Sequence, residues 1–321
     1  MRTITLEEHF ITEEVLKATA HIQSGPRAGF VEAVRGKLLD VGKGRIADMD
    51  AAGIDLQVLS LTNSGMDKLE PPTATALARD ANDQLAAAVR AHPDRLAGFA
   101  ALAPQQPEKA AAELERCVCQ LGFKGAMLHG AVDGVFLDHA RFTPLFATAQ
   151  ALDVPLYLHP TPAPKAVQDA YYEGMPGASG FFLSTAAWGW HVELGMHCLR
   201  LIVSGLFERF PRLKIIIGHM GEDLPYSIAR ADAVLARAAN HLPRRVSEYF
   251  YEHFYLTTSG YFTVPPLLCA LQVVGAGRIL FSVDYPFSPN SEGRDFLAAL
   301  PISPEDLEKV AHGNAERLLK L

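Results

Sequence analysis

The stretch Leu6-Glu7-Glu8-His9 ends a short apolar run near the start of the chain on side chains that can hold a metal ion. Three later runs end the same way: Leu156-Tyr157-Leu158-His159, Ile215-Ile216-Ile217-Gly218-His219 and Phe281-Ser282-Val283-Asp284. Polar ligands at the C-terminal ends of separate strands are how a parallel α/β barrel builds an active site, whereas histidines scattered through a core have no reason to fall there. Glu7 and His9 stand two apart, so in a strand both point to one face, read as the barrel interior, while Glu8 points to the other. A lone Glu-x-His is weak, but a buried charge needs partners, and His159, His219 and Asp284 would stand at the same level of other strands.

Working outward, apolar β-branched runs fall at about residues 2–9, 54–61, 96–102, 123–128, 154–159, 213–218, 254–258 and 279–284, about the eight a closed barrel requires. Helical stretches separate them. Pro107 opens one that Gly122 closes; Leu77, Ala81, Leu85, Ala88 and Val89 form one face of another that His92-Pro93 stops. Near the end, Ser303-Pro304-Glu305-Asp306 reads as a helix start, with Gly313 expected to end that helix. The alternation predicts a (β/α)8 TIM barrel of α/β class, one domain over residues 1–321. One segment breaks the rhythm: an insertion at about 160–190, rich in Gly and Pro, carries Tyr171, Tyr172, Phe181, Phe182, Trp188 and Trp190. Because it follows His159 it should overhang the barrel mouth, as a lid over a flat apolar substrate, as a subunit interface, or as both.

Bulk properties agree without choosing. With 49% hydrophobic and 20% charged residues the chain is an ordinary globular one. A formal charge of −7, with the 29 Lys and Arg dispersed, argues against nucleic acid and anionic membrane surfaces as partners. The start, MRTITLEEHF, shows no secretory signal and no run reaches membrane-spanning length, so a cytoplasmic location is expected. The four cysteines are too few for a disulfide framework, and Cys117 reads as a small apolar residue on a helix.

These residues resemble the amidohydrolase superfamily, and within it the aromatic-acid decarboxylases of the ortho-hydroxybenzoate, γ-resorcylate-like branch. The likeness runs the full length: Leu6-Glu7-Glu8-His9-Phe10, Asp48-Met49-Asp50-Ala51-Ala52-Gly53-Ile54-Asp55, Gly205-Leu206-Phe207-Glu208-Arg209-Phe210-Pro211, Gly218-His219-Met220-Gly221-Glu222-Asp223-Leu224-Pro225, Phe281-Ser282-Val283-Asp284-Tyr285-Pro286 and Gly313-Asn314-Ala315. Many members of the wider superfamily open with His-x-His; Glu7 is what the hydroxybenzoate group shows, and His9 argues for the resorcylate-like side. The resemblance implies that Glu7, His9, His159 and Asp284 hold one divalent metal, Zn²⁺ or Mn²⁺, with His219 and Glu222 beside it as catalytic groups. Binuclear relatives bridge two metals through a lysine ending the fourth strand, where this chain has His129, Lys124 falling at the strand's start.

Two imidazoles and two carboxylates form a mixed nitrogen and oxygen set, which suits either ion. The expected reaction is a non-oxidative, reversible decarboxylation in which Asp284 protonates the ring before CO₂ leaves. Arg230, Phe287 and Asn63 are candidate substrate contacts: Arg230 could pair with Glu222 or reach the carboxylate, or simply solvate a helix face. The expected partners are a small aromatic carboxylate and further copies of the chain, as a dimer or tetramer. Two other functions stay open: a metal-dependent hydrolase of a lactone or amide with Asp284 as base, and a non-catalytic ligand-binding barrel.

Overall fold

A computed structural model of the chain describes residues 1–22, 26–62, 65–132 and 134–321. Parallel strands follow one another around a barrel: β1 (Ile4–Phe10), β2 (Leu56–Leu61), β3 (Leu96–Gly98), β4 (Ala100–Ala101), β5 (Ala126–His129), β6 (Leu156–His159), β7 (Ile215–Ile217), β8 (Phe254–Thr257) and β9 (Ile279–Leu280). Each pairs with its neighbours in chain order, as β1-β2-β3 and as β4-β5-β6-β7-β8-β9. β3 and β4 form one stave interrupted at Phe99, whose N–H bonds Leu59 O at 2.9 Å, and eight staves result. The fold is the (β/α)8 barrel that the alternation predicts.

The strands read as continuously apolar because both faces are buried. Leu156 and Leu158 pack outward against helices while Tyr157 packs inward, and Ile215 and Ile217 contrast with Ile216 in the same way. The interior layer is Ile4, Leu6, Leu56, Val58, Ala97, Phe99, Met127, Tyr157, Ile216, Tyr255 and Leu280, joined by Ala315, Leu318 and Leu319 from the end of the chain.

Helix ends follow their signals at Pro107 and Gly122, where Gly122 has φ 75°, and at Ser303, whose hydroxyl accepts from Asp306 N at 3.1 Å. Gly313 is a correction: it is helical, and the chain runs on into Asn314–Leu319. Asn314 Nδ2 bonds the carbonyls of Ala276 and Ile279, both at 2.7 Å, and Leu318 and Leu319 gain burial. Tertiary anchoring of that last turn outweighs the glycine's tendency to end a helix.

The last stave is regular only over Ile279–Leu280, against the expected 279–284. Beyond that point side chains take several of its backbone groups: Thr258 Oγ1 bonds both Ser282 N at 2.9 Å and Ser282 O at 2.7 Å, and Glu8 takes Val283 and Tyr285 N–H. No described helix is long and apolar enough to cross a membrane.

Candidate active site

β1 does not deliver its ligands by alternation alone. Ile4 and Leu6 already face the interior, so a regular strand would turn Glu7 outward. The register with β2 slips between Leu6 and Glu8, and Glu7 sits at φ 73°. This one-residue bulge brings Glu7 and His9 onto the inner face together.

Inside the barrel, the hydroxyls of Tyr157 and Ser259 donate to Glu7 Oε2, and Thr257 Oγ1 lies 3.4 Å from the same oxygen. Among the described residues Glu7 Oε1 has no hydrogen-bond partner. Burial pushes the Glu7 carboxyl above the usual carboxylate range, with His219 drawing it back. Gly218 makes room for this arrangement, since a Cβ there would come within 2.7 Å of Glu7 Oε2.

Nε2 of His159 points at Glu7 Oε1 from 3.5 Å, while its Nδ1 lies 2.9 Å from the carbonyl of Pro160. A carbonyl only accepts, so Nδ1 carries the proton and Nε2 keeps its lone pair for the cavity. Burial holds His159 well below the ordinary histidine value, in the neutral form that binds metals. His9 Nε2 faces Asp284 Oδ1 at 3.1 Å, and among the described residues neither atom has a hydrogen-bond partner. Ligand atoms of Glu7, His9 and His159 lie within 4.8 Å of one another. Three buried polar atoms without partners, beside a neutral imidazole, are a donor set that one cation would satisfy.

His191, His219 and Glu222 are also close enough to hold an ion, but their needs are met internally. Glu222 Oε1 takes His219 Nδ1 and Oε2 takes His191 Nδ1, both at 2.7 Å; His191 Nε2 reaches Ala186 O at 2.9 Å. Burial would lower the His219 value, yet Glu222 and Glu7 push it up to about 10. With Nδ1 held by Glu222, its Nε2 faces Glu7 Oε1, 3.8 Å away. His219, Met220 and Glu222 all adopt left-handed backbone, with φ 50°, 58° and 54°, a strain that collects at functional sites.

Of the expected substrate contacts, the Phe287 ring lies 5.5 Å from that of His9. Asn63 falls outside the described residues. Arg230 is corrected as a partner of Glu222: the helix Leu224–Leu235 buries Leu224, Pro225 and Ile228 and leaves Arg230 exposed, while both Glu222 oxygens are taken by histidines. Lys124 is spent elsewhere, its ammonium bonding Lys320 O at 3.1 Å.

Several neighbours were not among the site residues expected from the sequence. Tyr157 was legible in principle, standing two before His159 and so on its face. His129 pairs in register with His159, their rings 5.2 Å apart. His191, 31 residues from Glu222, carried no local signal. From the 160–190 segment the carbonyls of Pro160 and Ala186 meet His159 and His191, and the Trp190 ring lies 6.2 Å from that of His159, with a buried Nε1 that has no hydrogen-bond partner among the described residues.

Residues 41–321 match the amidohydrolase family. The chain is 42% identical to a γ-resorcylate decarboxylase of Polaromonas sp. strain JS666, covering 99% of this chain and 98% of the relative. It superposes on the crystal structure of a dihydroxybenzoic acid decarboxylase from the same strain, with bound manganese and the inhibitor 2-nitroresorcinol, at a TM-score of 0.90 and 41% identity, covering 100% of this chain and 97% of that one. A 2,6-dihydroxybenzoate decarboxylase complexed with 2,6-dihydroxybenzoate superposes at 0.89 with 39% identity, covering 100% of both chains. Barrel, ligand cluster and full-length likeness agree: the chain belongs to the amidohydrolase family, on its aromatic-acid decarboxylase branch.

Proposed function

We propose that this chain is a metal-dependent, non-oxidative decarboxylase of ortho-hydroxybenzoates of the resorcylate, dihydroxybenzoate or salicylate type. The observation that carries the reading is the exposure of Asp284. Its side chain is 17% exposed, whereas His9, 3.1 Å away, and Glu7 are both at 0%. Of the two carboxylates in the proposed ligand group, it is the one with access to a bound molecule.

Glu7, His9, His159 and Asp284 would hold one divalent ion; manganese in the related structure favours Mn²⁺ over Zn²⁺. Such an ion, when bound, supplies Lewis acidity toward the oxygens of an ortho-hydroxybenzoate. Charge counting then assigns Asp284 a second task. With both carboxylates ionised, a divalent ion and its ligands sum to zero and attract an anion poorly; with Asp284 protonated the site is cationic and holds an acidic proton beside the substrate.

Expelling CO₂ directly would leave an aryl carbanion. Protonation first avoids it. Asp284 gives its proton to the ring carbon bearing the carboxylate, the ring supplying the electron pair and the ionised ortho oxygen stabilising the product. The bond to the carboxyl carbon then breaks, its electron pair restores aromaticity and CO₂ departs, so one proton is consumed for each CO₂ released. His219, gripped at Nδ1 by Glu222, would orient Asp284 or return its proton. Phe287 would lie against the ring, and run backward at high bicarbonate the same steps carboxylate a phenol.

The test is turnover by metal-loaded protein of 2,6-dihydroxybenzoate, 2,3-dihydroxybenzoate and salicylate, followed as loss of carboxylate absorbance, with esters and lactones alongside. Turnover confined to lactones would sink the reading. We further propose a homo-oligomer, supported by exposed Tyr171, Phe182 and Trp188 in the segment after His159, and a cytoplasmic location, supported by four free cysteines.

A further inference from the structure

Three of the proposed ligands, Glu7, His9 and Asp284, lie on the two staves that close the barrel, and those staves share no regular ladder. Among the described residues their main-chain link is one bond, His9 N–H to Tyr285 O at 2.6 Å. Side chains do the rest. Glu8, fully buried, accepts Val283 N–H on Oε1 and Tyr285 N–H on Oε2, each at 2.9 Å. These are the peptide N–H groups on either side of Asp284.

Arg45, equally buried, works from the other direction. Its guanidinium donates to His9 O at 2.6 Å, to Asp40 O at 2.8 Å and to Gln57 Oε1 at 3.2 Å, and it lies over the Tyr285 ring, 4.8 Å from the centroid. The Tyr285 hydroxyl in turn reaches Asp48 Oδ2 at 3.2 Å. The residues flanking both His9 and Asp284 are therefore bolted to one buried polar frame.

Asp284 sits at φ 71°, a left-handed conformation that a non-glycine residue keeps only when its surroundings enforce it. A bidentate carboxylate on the N–H groups of the residues before and after it is such an enforcement. We infer that Glu8, backed by Arg45, is a positioning residue for the metal centre: it sets the left-handed turn at Asp284 and with it the separation between Asp284 and His9. This deepens the ligand reading above, on which it rests, by giving a task to the glutamate that alternation turns away from the cavity. A glutamate that merely closed the barrel would support stability without touching metal affinity.

The experiment is titration of metal-stripped protein with Mn²⁺, read as the paramagnetic resonance of free and bound ion. Glu8→Gln keeps the size but can accept only one of the two N–H groups. Its Mn²⁺ dissociation constant should rise about 10- to 100-fold and the bound-ion spectrum should change shape, while the metal-free protein melts within a few degrees of the parent. Ser282→Ala, which removes a hydroxyl 3.4 Å from Glu8 Oε1, should leave affinity unaltered. Parent-like affinity and spectrum in folded Glu8→Gln would overturn the inference. So would failure of both Glu8→Gln and Glu8→Asp to fold, which would assign the carboxylate to barrel closure alone. No uptake of Mn²⁺ by the parent protein would instead remove the ligand reading, and this inference with it.

Discussion

The seam between the first and last staves and the segment from Pro160 to Trp190 both meet the proposed ligand group and are built on opposite plans. At the seam, Glu7, Glu8, His9 and Arg45 are all fully buried, and the left-handed turns at Glu7 and Asp284 are pinned by side-chain or backbone partners. The Pro160–Trp190 segment carries two short helices, Lys165–Tyr172 and Ser179–Ser184, with Tyr171, Phe182 and Trp188 turned to solvent. Its ties to the site are few: Pro160 O on His159, Ala186 O on His191, and the Trp190 ring near His159. The difference teaches where each task is lodged. Ligand geometry needs tolerances that only an over-determined backbone holds, whereas what enters can be chosen by a part with little packing of its own.

The sharpest way to break this division is at Asp284. Asp284→Asn should lower kcat by about 1,000-fold in a protein that still folds, since a positioned acid contributes about 10²- to 10⁴-fold; retained turnover would remove Asp284 as proton donor. On the side of the Pro160–Trp190 segment, acid should loosen the structure through His197, in the helix Gly189–Val203 that leaves the segment. Its Nε2 accepts Leu137 N–H at 3.0 Å, and burial pulls it down to about 4 from an ordinary 6.5. Because the folded state prefers neutral His197, its contribution is complete above pH 6.5 and is lost as pH falls toward 4, about 3 kcal/mol in all. Denaturant melts at pH 7 and pH 4.5 should therefore differ less in His197→Gln, whose amide oxygen can still accept that N–H.

Metal removal probes the seam more gently. Mn²⁺ at about 100 times its dissociation constant should add about 2.7 kcal/mol to stability, raising the melting temperature of stripped protein, and Glu7→Gln should erase most of that rise. A full rise in Glu7→Gln would take it out of the ligand set. The smallest stability change is expected at Trp188→Ser, within about 0.5 kcal/mol because the ring is half exposed. Sedimentation should nonetheless show weaker self-association, and an unchanged assembly would leave the exposed aromatics as lid rather than interface.

How much could be read beforehand differs along the same line. The staves, their order and the ends that carry Glu7, His9, His159 and Asp284 were legible, because a strand buried on both faces writes itself as an apolar run and its terminal ligand breaks the run. The bulge at Glu7 was not, since nothing in Ile4-Thr5-Leu6-Glu7 marks a left-handed glutamate. Arg230 misled for a related reason: its spacing from Glu222 is a helical one, but His191 arrives from another helix and takes the oxygen that Arg230 was to use. Gly313 failed as a helix end because Asn314 finds two carbonyls across the fold.

By itself, then, the sequence determined a parallel eight-stave barrel with side chains able to bind a metal at the strand ends, since periodicity and strand-terminal chemistry are local properties. The tertiary structure alone decided which polar atoms are left without partners, how Glu8 and Arg45 bolt the closing seam, and which histidine shares Glu222 with His219. Those outcomes depend on groups far apart in the chain meeting in a medium where every buried polar atom must be answered, and no local pattern records that meeting.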